Sequence, residues 1–181
     1  MARATHRLDL LVLPADPDAP ADALAPVLAA WAAAGFLTAS TSDPEDLAPP
    51  VVSGAHAASP RLRYASGPRE LVAGGVGSIV WMQETQPRFL ANRSGGFRVR
   101  CPDTGATLAD RLHPAVEAWR RGSPRVLACT CGATHDLAAL EYFPSAGFAR
   151  GWIELDDVGD ADLVAEARSL APDVRLVLRR G

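Results

Sequence analysis

The chain has 181 residues, 48% hydrophobic and 22% charged, with a formal net charge of −3 and a pI near 5.8. That length suits one domain burying roughly 70% of its unfolded surface, too apolar to be disordered, and a net acidic chain lacks the basic face on which general nucleic-acid binding depends. All 18 basic residues are arginines, which excludes Schiff-base catalysis through a lysine amine and the Gly-Lys-Ser/Thr phosphate loop of P-loop NTPases.

The first element reads as a strand: Leu8, Leu10 and Val12 share one face, and Leu11 and Leu13 make the other face partly buried. Residues 16–20 form a turn in which Asp18 is the expected helix cap and Pro20 suits a first helical turn. Leu24, Val27, Leu28 and Trp31 then recur at helical spacing, and Gly35 stands where a C-terminal glycine belongs. Residues 38–60 are rich in turn chemistry and read as a long irregular stretch. Order returns at residues 61–64, and residues 68–72 are able to open a short helix. The glycine run in residues 73–78 leads into Ile79-Val80-Trp81-Met82, a strand pattern, so it reads as a tight turn and not as a phosphate cradle feeding a helix. At the far end residues 151–156 alternate as a half-buried strand. Asp160 caps a helix bearing Leu163, Val164, Ala167 and Leu170 that Pro172 stops, and residues 174–179 form a last strand. Together these predict an α+β fold, a mixed sheet with helices on one face in the manner of an α/β sandwich.

Between these parts lie Phe97-Arg-Val-Arg-Cys101-Pro-Asp-Thr-Gly105 and Val126-Leu-Ala-Cys129-Thr-Cys131-Gly132-Ala-Thr-His135. The pair resembles the two knuckles of a zinc ribbon over residues 97–140. In that family each knuckle follows a strand and reads Cys-Pro-x-Cys-Gly or a near variant, with a glycine that tolerates positive φ and backbone amides aimed at the sulfurs. The first knuckle keeps Cys101, Pro102 and Gly105 but carries Thr104 where a second cysteine belongs. The second keeps Cys131-Gly132 but spaces its cysteines Cys-x-Cys. The stretch between them, His113 to Trp119, reads as a short helix. The resemblance divides the chain into an N-terminal part of the α+β domain (1–96), a zinc-ribbon-like β insert (97–140) and a C-terminal part completing the domain (141–181).

Zinc takes four ligands in a closed structural site, or three plus water in an open one. Cys101, Cys129 and Cys131 offer three; His135, four residues beyond Cys131, is the leading fourth donor and Asp103 the next. Three outcomes stand open at this level: an intact zinc site of three cysteines and one histidine, a metal-free relic of the knuckle turns, or a reactive Cys131 thiol served by His135 or His113. Elsewhere His6 and His56 read as solvated, and Glu154, Asp156 and Asp157 as an acidic run explained by strand alternation. The arginine groups Arg61/Arg63/Arg69, Arg93/Arg98/Arg100 and Arg120/Arg121/Arg125 read as solvated charge. Trp31, Trp81, Trp119 and Trp152 read as core anchors.

The opening apolar run is shorter than a secretory h-region of roughly 7–15 residues, no stretch approaches the roughly 20 apolar residues of a membrane span, and an odd cysteine count suits a reducing compartment. The expected location is therefore the cytoplasm. The absence of lysine together with a single asparagine, Asn92, is the bias of a high-GC bacterial genome. With no catalytic constellation in view, the reading is a non-enzymatic binding or regulatory protein whose partner is a protein. The alternative is a small enzyme using a cysteine thiol or an open zinc held by the three cysteines.

Overall fold

The structure, a computed structural model, describes residues 8–39, 61–66, 78–92, 96–156, 158, 169 and 173–180. The irregular stretch 40–60, the short helix at 68–72, the glycine run up to residue 77, the helix expected between Asp160 and Pro172, and His6, His56 and Asp157 lie outside the described residues.

Six strands form the main sheet: β1 (Leu8–Pro14), β2 (Leu37–Ala39), β3 (Arg61–Ser66), β4 (Ser78–Leu90), β9 (Gly147–Asp156) and β10 (Val174–Arg180), in the order β10-β1-β9-β4-β3-β2. Each pairing between neighbours is antiparallel. The α+β class expected from the sequence is the class found. β1 sits between β9 and β10, and its near-continuous apolar run follows from burial on both faces. Leu10 and Val12 join Ile79, Ile153 and Leu155 in the core beneath helix α1 (Ala25–Ala33). Leu11 and Leu13 join Met82, Trp152 and Val177 on the opposite face.

α1 buries Leu28 and Trp31 and ends in a Schellman motif. Gly35 takes φ +80°, its N–H donates to the Ala32 carbonyl at 3.0 Å, and the Phe36 N–H donates to the Trp31 carbonyl at 2.9 Å. The start differs from expectation. The helix begins at Ala25 behind Leu24, with no side-chain cap, because residues 17–24 are spent on successive turns. The Asp18 carboxylate is held instead by Arg125, in a two-pronged ion pair with both N–O distances 2.9 Å. These turns rest directly on β9: a Cβ built on Gly151 would stand 2.0 Å from the Ala21 carbonyl oxygen.

β4 and β9 make one long ribbon. Its register shifts between Gln83 and Arg88, and beyond the shift Arg88, Phe89 and Leu90 pair with Ala149, Phe148 and Gly147. The chain leaves this ribbon after Leu90 and re-enters it at Gly147, so residues 91–146 form a unit inserted between two sheet neighbours. Within it β5 (Arg98–Val99) pairs with β8 (Tyr142–Phe143), and β6 (Val126–Ala128) pairs with β7 (Thr134–Asp136). Helix α2 (Ala109–Arg120) starts earlier than the short helix expected over residues 113–119 and buries Leu112 and Val116. The unit has its own core, with Val99, Leu108, Leu127, Leu137, Tyr142 and Phe148. Trp31, Trp81 and Trp152 are buried and Trp119 packs edge-on against Phe148, so the tryptophans are anchors.

Candidate metal centre

Two short turns build the site. After β5 the Cys101 N–H donates to the Ala106 carbonyl at 2.8 Å, and the Cys101 carbonyl accepts from the Gly105 N–H at 2.9 Å. After β6 the Cys129 N–H donates to the Ala133 carbonyl at 2.8 Å, and the Cys129 carbonyl accepts from the Gly132 N–H at 3.2 Å. The two turns share this pattern, and in each a glycine at positive φ (Gly105 +69°, Gly132 +90°) lets the chain reverse. The second is one residue shorter, which is why its cysteines are two apart instead of three. β7 then returns along β6, and His135 lies in register with Leu127. Residues directly opposed across an antiparallel pair share a face, so His135 lies on the side of the hairpin that carries Leu127 and Cys129 into the inserted core.

The outcome is convergence. One donor atom from each of Cys101, Cys129, Cys131 and His135 lies within 4.8 Å of all the others. The Cys101 and Cys131 sulfurs are 3.7 Å apart, and the Cys101 sulfur is 3.3 Å from His135 Nε2. Zn–S bonds of about 2.3 Å and Zn–N bonds of about 2.0–2.1 Å in a tetrahedron give S···S edges of about 3.8 Å and S···N edges of about 3.5 Å. The donor types and spacings therefore fit a metal ion. All three thiols are free; Cys101 and Cys129 are buried and Cys131 is exposed. Of the other candidates, Asp103 is exposed on the first turn and His113 is exposed on α2, and neither belongs to the group.

The surrounding hydrogen bonds favour thiolate at two of the three sulfurs. The Thr104 hydroxyl, with the backbone N–H groups of Thr104 and Asp103, aims at Cys101 and holds its thiol down to about 6. The Cys131 backbone and side chain lower Cys129. At Cys131 the Ala133 N–H pulls downward, but the Cys129 sulfur and desolvation outweigh it and the net shift is upward. Desolvation lowers His135, and hydrogen bonds with the Cys129 and Cys101 sulfurs more than restore it. By the ribbon pattern alone Thr104 is a lost ligand. In the fold its hydroxyl is a donor to the Cys101 sulfur three residues before it, and the signal for this is its place just ahead of the turn glycine.

Among the described residues outside this centre, two arginines each bridge two carboxylates. Asp9, Glu154 and Asp156 also converge to within 4.8 Å, so strand alternation alone does not explain the acidic run. A cation among them is Arg179, whose guanidinium donates to Asp9 at 3.1 Å and to Glu154, while the Ser78 hydroxyl donates to Asp156 at 2.7 Å. Arg125 is not solvated charge either. Its side chain is 15% exposed and bridges Asp18 to Asp136, and its guanidinium lies 5.5 Å from the Phe148 ring centroid. Among the described residues no helix is long and apolar enough to cross a membrane. The chain matches no family model, no curated protein and no solved structure.

Proposed function

We propose that Cys101, Cys129, Cys131 and His135 hold one zinc ion in a closed structural site, that the inserted unit is a degenerate zinc ribbon, and that the protein is a non-enzymatic binding or regulatory protein of a reducing cytoplasm. The observation that carries the reading is the spacing of the donors: the 3.7 Å sulfur–sulfur and 3.3 Å sulfur–nitrogen separations match the edges of a zinc tetrahedron. The paired turns with glycines at positive φ support ribbon ancestry. A shell of four protein donors leaves no position for water, which suits a staple joining the β5 turn to the β6–β7 hairpin. The open-zinc form of the small-enzyme alternative needs His135 to stand away from a zinc held by the three cysteines, whereas its Nε2 lies against the Cys101 sulfur. A protein is the partner this reading favours, since the net charge of −3 disfavours nucleic acid.

The test is metal analysis of full-length protein purified without chelators. One zinc per chain is expected in the wild type, and a large loss in Cys129→Ser and in His135→Ala. Wild-type protein free of zinc, and unable to take it up when reduced and supplied with it, would falsify the reading.

A further inference from the structure

Of the four donors, only Cys131 presents a sulfur-bearing side chain on an exposed residue; Cys101 and Cys129 are buried and His135 is half-buried. The Cys131 sulfur also has a second thiol at hand, Cys101, 3.7 Å away on a different turn. We propose that Cys131 is an oxidation site and that Cys101 is its resolving thiol, so that a hydroperoxide closes a Cys101–Cys131 disulfide and displaces the metal.

Two steps balance the chemistry. The Cys131 thiol attacks the peroxide oxygen as its proton passes to the departing oxygen; an S–O bond forms, the O–O bond breaks, and the alcohol or water leaves, so sulfur loses two electrons and the peroxide gains them. The Cys101 thiolate then attacks the sulfenic sulfur; the S–S bond forms, the S–O bond breaks, and the hydroxide leaves and takes a proton from solvent to become water. The disulfide length of about 2.05 Å requires the sulfurs, 3.7 Å apart, to close by about 1.7 Å. Cys129 is a poorer resolver: it sits two residues from Cys131 in one tight turn, so their bond would close a small strained ring. The new disulfide removes two of four donors while still tying the β5 turn to the β6–β7 hairpin. A metal bridge is exchanged for a covalent one at the same place in the fold. The metal-release half of this inference rests on the zinc reading; the thiol chemistry does not.

The experiment treats the full-length, reduced, zinc-loaded chain with hydrogen peroxide. A chromophoric chelator follows zinc, and disulfides are mapped by mass spectrometry without reduction. Trypsin cuts at Arg111 and Arg125, placing Cys101 on one peptide and Cys129 with Cys131 on another, and fragmentation tells Cys129 from Cys131. The expected result is a two-peptide cross-link between Cys101 and Cys131, with zinc release rising in step with it and both reversed by dithiothreitol and added zinc. In Cys101→Ser the cross-link should vanish and Cys131 should become reactive to dimedone. A wild-type link joining Cys129 to either other cysteine, or direct conversion of Cys131 to sulfinic acid without a link, overturns the proposal. So does retention of zinc with all thiols still reduced, which leaves the zinc reading standing. A Cys101–Cys131 link in protein that never bound zinc upholds the thiol pair and overturns the zinc reading instead.

Discussion

Thr104 occupies the place where a ribbon's second cysteine would stand, yet its hydroxyl serves the site as a hydrogen-bond donor to Cys101. Partners one bond removed from a metal commonly tune its affinity about 10- to 100-fold. Thr104→Val keeps the shape of the side chain and removes the donor. The Cys101 thiol of the metal-free protein should then titrate above its value of about 6, measured by the ultraviolet absorbance of thiolate against pH. Because zinc displaces the thiol proton, affinity at neutral pH should fall about 10-fold, measured by competition with a chelator. Unchanged affinity and titration would mean that the backbone amides of Asp103 and Thr104 suffice. The other cysteines do not share this dependence, since their hydrogen bonds run chiefly to the second turn and to each other.

At the scale of elements, what was legible in the sequence is what local pattern decides. β1, the Gly35 helix end, the strand pattern at residues 79–82 and the alternating strand at residues 151–156 each rest on periodicity or on a single special residue, and each is present. What was not legible depends on partners distant in the chain. Asp18 carries every local mark of a helix cap, but Arg125, 107 residues away, claims its carboxylate. Gly151 reads as the first residue of an alternating strand, and nothing nearby reveals that the Ala21 carbonyl lies against it. That contact makes a prediction. In Gly151→Ala the new methyl would meet backbone at 2.0 Å, whereas in Gly147→Ala it would meet the Arg175 side chain at 3.1 Å and Leu13 at 3.2 Å. Overpacking costs about 1–3 kcal/mol where the neighbour cannot yield. Denaturant titration should place Gly151→Ala in that range and Gly147→Ala below it. Equal losses would show that the turn at residues 17–24 gives way easily.

The centre belongs to one core only. Cys101 and Cys129 lie among the buried residues of the inserted unit, and none of the four donors is among the buried residues of either face of the main sheet. Chelation should therefore loosen the insert and spare the sheet. Hydrogen exchange followed by mass spectrometry, with and without chelator, should show faster exchange in peptides from residues 97–143 and little change in β1 and β10. Uniform acceleration across both would mean that the two parts unfold as one cooperative unit.

Among the links that tie the insert to the rest of the described residues are the β4–β9 ribbon and Arg125. The first is continuous backbone, while the second is electrostatic and so depends on pH. The Arg125 hydrogen bonds hold the Asp18 and Asp136 carboxyls below the ordinary aspartate range, and Arg125 is itself held more firmly protonated. A carboxylate with a depressed folded-state value stabilises fully above its unfolded value, about 3.9, and that contribution fades as pH falls through the folded values. Both carboxylates are largely exposed, at 60% and 47%, so each pair should fall in the range of about 0.2–1 kcal/mol seen for solvated ion pairs. The fork geometry places the sum near the top, about 1–2 kcal/mol. Arg125→Met retains much of the aliphatic stem against Phe148 and removes the charge. Its stability deficit relative to wild type, from denaturant titrations over a pH series, should be about that sum near neutrality and shrink steadily as pH drops below about 4. A deficit that stays constant with pH would assign the role of Arg125 to packing over the Phe148 ring.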